Sequence, residues 1–458
     1  MKRAQAHQIV PTLFERNVLA DKAGDIDPRM DFADRSLIEF HDGLQAACSS
    51  AGSKNPRVKR IFDPIHHFIE LHEREARLLD TSVMQRLRRL RQLGLAYLAF
   101  PSAEHSRFGH ALGALAMGTR VFDEIVRHGR DTFANDADIA YQRRLVRAAL
   151  LLHDIGHGPF SHACEAVLGV LHEARTRALL ELPEMVDHLA ELDVDPYDVL
   201  SLILGAQNGR YPVLSEIVSG PNLDADRMDY LQRDSYFTGV ASGRYDADQL
   251  VASMRVIEHQ GRSVLGIDAR GVVALESFVL ARYMMFASVY FHHTTRMFER
   301  ILQDVLRELW PDPRALDPIE TFLEWDDSRV LNDLRERQSV ASRALRERTR
   351  LYAVVAEFNA EHDLAHYERC EAALIDAYGA QNVWGDAQEQ VLHRLPLGAS
   401  EHHRTVLVQT PAGAVDAREA SDLIAKLSGK AYWRKLFVVR ANVDLSQARS
   451  LCRTIASG

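Results

Sequence analysis

Apolar residues recur at helical spacing from Ile61 to about Leu309, and two stretches set the pattern. Leu112, Leu115, Ala116 and Phe122 predict an amphipathic helix with His110 in its first turns. Leu150-Leu151-Leu152 predicts the end of an apolar helix that stops at His153-Asp154 and enters the turn Gly156-His157-Gly158-Pro159. Met84, Leu87 and Leu90 form an apolar stripe, with Gln85, Arg88, Arg89 and Gln92 on the other side of one predicted helix. A further turn falls at Ser219–Pro221, and Val264–Ile267 reads as a short strand of a hairpin.

Past Trp310-Pro311-Asp312-Pro313 the texture changes to charged, arginine-rich helices. Thr405–Gln409 then reads as a strand, Ala420, Leu423, Ile424 and Leu427 mark an amphipathic helix, and Leu436–Val439 reads as another strand. The expected fold is mostly α. Its expected divisions are an N-terminal extension and linker over 1–55, a helical core over 56–310, a helical extension over 311–395 and a small α+β lobe over 396–458. Ala46–Ser53 is the linker-like string.

Composition sharpens this only a little. The chain has 458 residues, 47% hydrophobic and 26% charged, as in soluble globular proteins. Cys48, Cys164, Cys370 and Cys452 show no C-x-x-C spacing, which argues against a disulfide framework or a zinc knuckle. The apolar run Phe278–Phe291 is interrupted by Arg282 and no signal peptide stands out, so a cytoplasmic protein without a membrane span is expected. The net charge of -9 means that any anionic ligand must be held by local cations.

The chemistry centres on Leu150–His162. A lone His-Asp pair is more often a satisfied core histidine beside a helix-end carboxylate. Here it has partners: His110 upstream, and downstream the segment Asn222–Asp234, which is dense in aspartates and arginines. His110, His153, Asp154 and Asp226 supply two imidazoles and two carboxylates, a set suited to a divalent ion such as Mn, Fe, Zn, Ni or Mg with positions left for water and phosphate.

Over residues 60 to 300 or so the chain resembles the HD-domain deoxynucleoside triphosphate triphosphohydrolases, including the animal enzymes that join a SAM domain to an HD domain. The landmarks run in order: Phe62-Asp63-Pro64-Ile65-His66, Asp80-Thr81 leading to Gln85-Arg86-Leu87-Arg88, Gln92-Leu93-Gly94, Arg107-Phe108-Gly109-His110, His153–His162 and Asp224–Asp234. The resemblance implies that His110, His153, Asp154 and Asp226 are metal ligands, and that His172, with Glu173 beside it, is a general acid, with Asp224 and His157 also in the catalytic set. It implies phosphate contacts from Arg107, Arg227 and Arg282 and from His157 and His162. Sugar and base contacts are implied for Gln92, Leu93, Tyr230, Asp234 and Tyr290.

Asp80, Gln85 and Arg88 match residues that bind an activating guanine nucleotide or dNTP between subunits, which would imply a homo-oligomer, dimer or tetramer. An equally good reading of those three is a solvated basic face behind an Asp N-cap. The sequence departs from the animal pattern at Arg227 (lysine there), Gln232 (a small residue) and Phe286 (histidine), which leaves the base preference open.

The expected function is metal-dependent hydrolysis of dNTPs to deoxynucleoside and inorganic triphosphate. The alternatives are an HD-type phosphodiesterase or nucleotidase, a nuclease tracked by Arg86, Arg88, Arg89 and Arg91, or a nucleotide-binding regulator without turnover. Nucleic acid is a secondary candidate as partner.

Overall fold

The computed structural model describes residues 58–206, 209–220, 223–360, 363–391, 406–427 and 430–457. The expected N-terminal extension, with Cys48 and the linker string, lies outside the described residues. The protein is mostly helical, with small sheets at its edges.

The centre of the core is built on α1 (Arg107–His128), which packs against both α2 (Asp136–Leu152) and α5 (Ala225–Thr238). Between α2 and α5 come the short helices α3 (His162–Leu168) and α4 (His172–Leu180). The helical spacing that predicted α1 holds, with Leu112, Leu115, Val121 and Phe122 buried. A Cβ at Gly118 would lie 2.1 Å from Leu150 Cδ1, so this glycine lets α1 and α2 approach closely. Asn135 caps α2 by accepting from the Asp138 amide, and the helix ends with His153 at its C-cap, as its apolar run predicts.

A hairpin of β1 (Val58–Asp63) and β2 (His67–His72) precedes this core. The single helix expected through Met84–Gln92 is broken. A helix over Ser82–Arg86 passes into a 3₁₀ turn at Leu87–Arg89, and Leu90 is extended. The break follows from the burial of Arg86, whose guanidinium must be satisfied internally. It donates to the carbonyls of Trp325 (2.9 Å) and His157 (2.8 Å) and stacks on Phe322. The N-cap is Thr81; Asp80 instead caps the end of the preceding helix, Glu73–Leu79.

The hairpin strands β3 (Met254–His259) and β4 (Arg262–Asp268) confirm the strand read at Val264–Ile267. Helix α6 (Val272–Met285) continues into a π-helical turn, Phe286–Tyr290, before α7 (His293–Leu309). The stretch Ala269–Tyr290 is long and apolar enough to cross a membrane by length and composition, so Arg282 does not interrupt it as expected. Leu275, Phe278, Ala281 and Arg282 on this stretch are buried inside the protein, where a core helix needs the same composition.

The strands beyond cross the expected divisions. β5 (Tyr352–Phe358) and β6 (Val383–Val391), inside the segment read as helical, flank β9 (Lys430–Val439) in one antiparallel sheet. β7 (Leu407–Thr410) pairs in parallel with β4, and β8 (Gly413–Asp416) follows it, giving the order β3-β4-β7-β8. The described residues from Val58 onward fall in one compact unit. Among the described residues, Cys164, Cys370 and Cys452 are free and buried.

Candidate active site

His110 comes from the first turns of α1, His153 and Asp154 from the end of α2, and Asp226 from the first turn of α5. His110 Nε2 lies 3.2 Å from His153 Nε2 and 2.9 Å from Asp226 Oδ1, which is 3.7 Å from His153 Nε2. Asp154 stands at the edge of this group, with Oδ1 3.5 Å from His153 Nε2 and Oδ2 3.8 Å from His110 Nε2.

The donor set fits a divalent metal. His153 Nδ1 donates to the Leu150 carbonyl at 2.8 Å, and His110 Nδ1 donates to Asp229 Oδ2 at 2.7 Å. With each Nδ1 donating, both Nε2 atoms face one another and a carboxylate, an arrangement that a divalent ion between two neutral rings, or a proton on His110 Nε2, would satisfy. Two nitrogens each about 2.1 Å from one ion would stand about 3 Å apart. Burial works against charge on His110, but hydrogen bonds to Asp226 and Asp229 override it and push its pKa up to about 10. Burial also opposes ionisation of Asp226, yet His110 and His153 hold it well below the usual carboxylate range.

Beside this group lies a second one: His157, Glu165 and His172. The His157 and His172 rings stack with centroids 3.9 Å apart. His172 Nδ1 is 2.7 Å from Glu165 Oε1 but 3.5 Å from Glu173 Oε2, so the carboxylate that orients His172 is Glu165 rather than the expected Glu173. Glu165 also accepts from His162 Nδ1 at 2.9 Å. Burial disfavours a charged His172, but the Glu165 hydrogen bond and nearby Asp154 raise its pKa above the ordinary value. His157 is shifted the other way, well below its ordinary value, by burial and by Arg107.

Arg107 is inside the site, donating from Nη1 to Asp154 Oδ2 at 2.5 Å and from Nε to Ser161 Oγ at 2.9 Å. Phe160 and Ser161 both adopt left-handed backbone, at φ 54° each. Asp327 helps to pin this turn by accepting from the Phe160 amide at 2.8 Å. Strained non-glycine backbone of this kind clusters at functional sites.

A cavity of about 600 Å3 collects these groups, with Arg107, Asp154, His157, His162, His172 and Asp226 in its wall. Gln92, Leu93, Tyr230, Asp234 and Tyr290 line it too, as expected of sugar and base contacts. Tyr290 donates its hydroxyl to Asp234 Oδ2 at 2.7 Å, and His105 Nε2 lies 2.7 Å from Asp234 Oδ1.

Three expected site residues stand behind the lining. Asp224 caps α5, accepts from the Arg227 amide and pairs with the Arg227 guanidinium; burial raises its pKa to about 6. Arg227 also donates to the Gly220 carbonyl at 2.5 Å. Arg282 is buried, its guanidinium carbon 5.6 Å from the centre of the Phe286 ring. Asp80, Gln85 and Arg88 lie apart from this cavity, with Arg88 Nε donating to Gln85 Oε1 at 2.8 Å and Asp80 3.5 Å from Lys59 Nζ.

Sequence reasoning missed Glu165, His105 and Asp229 as members of the site. The only signal for Asp229 was its place one helical turn after Asp226 in the charged segment.

A family model described as HD associated region matches residues 245–439. A hypothetical protein from Aquifex aeolicus has a similar structure, with TM-score 0.73, 30% identity and coverage of 86% of this chain and 100% of that one. A phosphohydrolase from Bacteroides thetaiotaomicron follows at TM-score 0.66 and 25% identity, covering 84% of this chain and 100% of that one. The deoxynucleoside triphosphate triphosphohydrolase SAMHD1 homolog of Dictyostelium discoideum is 30% identical over 291 residues, 60% of this chain and 55% of that protein. The chain spans about half the length of the curated relatives it matches. With this fold, these relatives and a His-Asp pair closing α2 beside His110 and Asp226, the chain belongs to the HD-domain phosphohydrolase family.

Proposed function

We propose that the protein is a metal-dependent dNTP triphosphohydrolase. The observation that carries this reading is one cavity lined both by Asp154 and Asp226, the carboxylates of the candidate metal group, and by Tyr230, Asp234 and Tyr290. The Tyr230 ring centre is 6.4 Å from that of His110, and the Tyr290 ring centre is 6.2 Å from that of Tyr230, so an aromatic wall adjoins the candidate metal group. That spacing suits an α-phosphate at the ligands and a deoxyribose against the tyrosines.

His110, His153 and Asp226, with Asp154, would hold a divalent ion, which when bound supplies positive charge to the α-phosphate and acidity to a water. The remaining chemistry belongs to the chain. Water attacks the α-phosphorus and releases a proton to solvent, the bond from phosphorus to the 5′-oxygen breaks, and the deoxynucleoside leaves from the triphosphate. His172, whose pKa the Glu165 hydrogen bond raises, gives its proton to the 5′-oxygen. Arg107 has N–H groups beyond the two it uses on Asp154 and Ser161, and these face the task of binding phosphate oxygens. Asp234 accepts from the 3′-hydroxyl, and Tyr230 fills the space that a 2′-hydroxyl would need.

We propose in addition that Asp80, Gln85 and Arg88 take an activating nucleotide in an oligomer. The nuclease reading loses support from its own arginines. Arg86 is buried on carbonyls, Arg89 pairs with Asp326, and Arg91 donates to Glu104 at 2.5 Å.

The test supplies each dNTP and rNTP with Mn or Mg, singly and in mixtures, and separates the products by anion exchange. Deoxynucleoside with intact triphosphate is expected, and turnover only in mixtures would mark an activator site. Diphosphate or orthophosphate as the released group would overturn the reading. His110→Ala is expected to lose metal and turnover together.

A further inference from the structure

The motif Phe62-Asp63-Pro64-Ile65-His66 takes no part in the chemistry above, yet it reaches the metal site through the carboxylates of Asp63 and Asp229. In the turn between β1 and β2, Asp63 Oδ1 accepts from the amides of Ile65 and His66, each at 2.9 Å. Its other oxygen receives Arg233 Nη1 at 2.8 Å. Arg233 in turn grips Asp229 with both Nε and Nη2, at 2.9 Å each. His66 Nε2 completes the set, 2.7 Å from Asp229 Oδ1.

Asp229 is fully buried. Arg233, His110 and His66 each stand within hydrogen-bond distance of it, and it accepts from all three. One oxygen serves His66 and Arg233, and the other serves Arg233 and His110 Nδ1. The orientation of Asp229 thus decides which way His110 Nε2 faces.

We infer that His66 is a positioning residue for the metal centre, locking Asp229 in the rotamer that aims His110 Nε2 at the ion. Arg233 alone leaves Asp229 free to pivot about the axis of the paired N–H groups, and the His66 contact removes that freedom. His66 is not in the wall of the substrate cavity. It lines a separate cavity of about 1220 Å3, which shares no lining residue with the first. A change at His66 therefore leaves the substrate contacts in place.

The inference rests on the metal reading of His110, His153 and Asp226, and its test is metal binding without substrate. Titration calorimetry with Mn2+ alone on the full chain compares the unaltered protein with His66→Ala and His66→Gln, and the melting temperature of each metal-free protein is recorded beside it. Loss of a group that orients a ligand costs about 10- to 100-fold in metal affinity, so His66→Ala is expected to weaken Mn2+ by at least about tenfold. His66→Gln keeps an N–H donor near the position of Nε2 and is expected to restore most of that affinity. Unchanged affinity in His66→Ala would overturn the inference and leave the metal site standing. Equal weakening in both variants with a lowered metal-free melting temperature would overturn it in favour of a turn that only stabilises the fold. No Mn2+ binding by the unaltered protein would overturn the metal site and this inference with it.

Discussion

Glu165 Oε1 stands 2.7 Å from His172 Nδ1, while the sequence neighbour Glu173 is 3.5 Å away. His172 owes its raised pKa chiefly to that contact, set against the cost of burial. Glu165→Gln is expected to lower kcat about 100-fold or more and to pull the basic limb of the pH profile to lower pH, because the acid form of His172 is lost sooner. Mn2+ binding should be untouched. A basic limb that stays in place would remove Glu165 from this role, and Glu173→Gln serves as the control with near-normal turnover.

The Tyr230 ring meets both the His110 ring, at 6.4 Å between centres, and the Tyr290 ring, at 6.2 Å. Tyr230→Ala is expected to raise the rNTP-to-dNTP ratio of kcat/KM by about 10-fold or more, since space opens where the 2′-hydroxyl would sit. Metal content should remain that of the unaltered protein. An unchanged ratio would assign sugar choice elsewhere.

The chain's legibility followed distance along the sequence. His110, His153, Asp154 and Asp226 were readable because each sits at a helix end or first turn that the apolar spacing marks. Glu165 was not, because its partner His172 is set by the turn between α3 and α4 rather than by a helical repeat. The sheet partners of the later strands were not legible for a related reason. Strand pairing joins β7 to β4 and β9 to β5, and alternation within one strand carries no information about its partner.

Gly113 follows His110 by three residues on α1, and a Cβ there would fall 2.0 Å from Asp229 Oδ1 and 2.2 Å from Arg233 Nη2. These groups are held from several sides and have nowhere to move. Gly113→Ala is expected to destabilise the protein by about 1–3 kcal/mol, as overpacking does, and to weaken Mn2+ binding. Thermal melts with and without Mn2+ measure both; an unchanged melting temperature would show that α5 gives way easily.

Glu216 is buried and accepts from the Leu265 amide at 2.7 Å. Burial pushes its pKa up to about 7 from an ordinary 4.5. Between those values the folded protein holds a proton that the unfolded chain releases, so this group's stabilisation is full below about 4.5 and is lost as pH rises through 7. A shift of that size corresponds to about 3 kcal/mol. Glu216→Gln removes the titration, so its melting temperature should gain on that of the unaltered protein from pH 5 to pH 8. Parallel curves would mean that Glu216 stays ionised in the fold.

Arg296, in the wall of the substrate cavity, is clamped by Asp386 of β6 at 2.9 and 2.7 Å. Phe286 and Phe291, also in that wall, face Trp433 of β9 at 5.9 and 4.9 Å between ring centres. In order of synthesis the four candidate metal ligands are complete at Asp226, but this wall waits for Asp386 and Trp433. A chain halted before Lys430 would carry that group beside a cavity whose aromatic wall lacks its backing from β9.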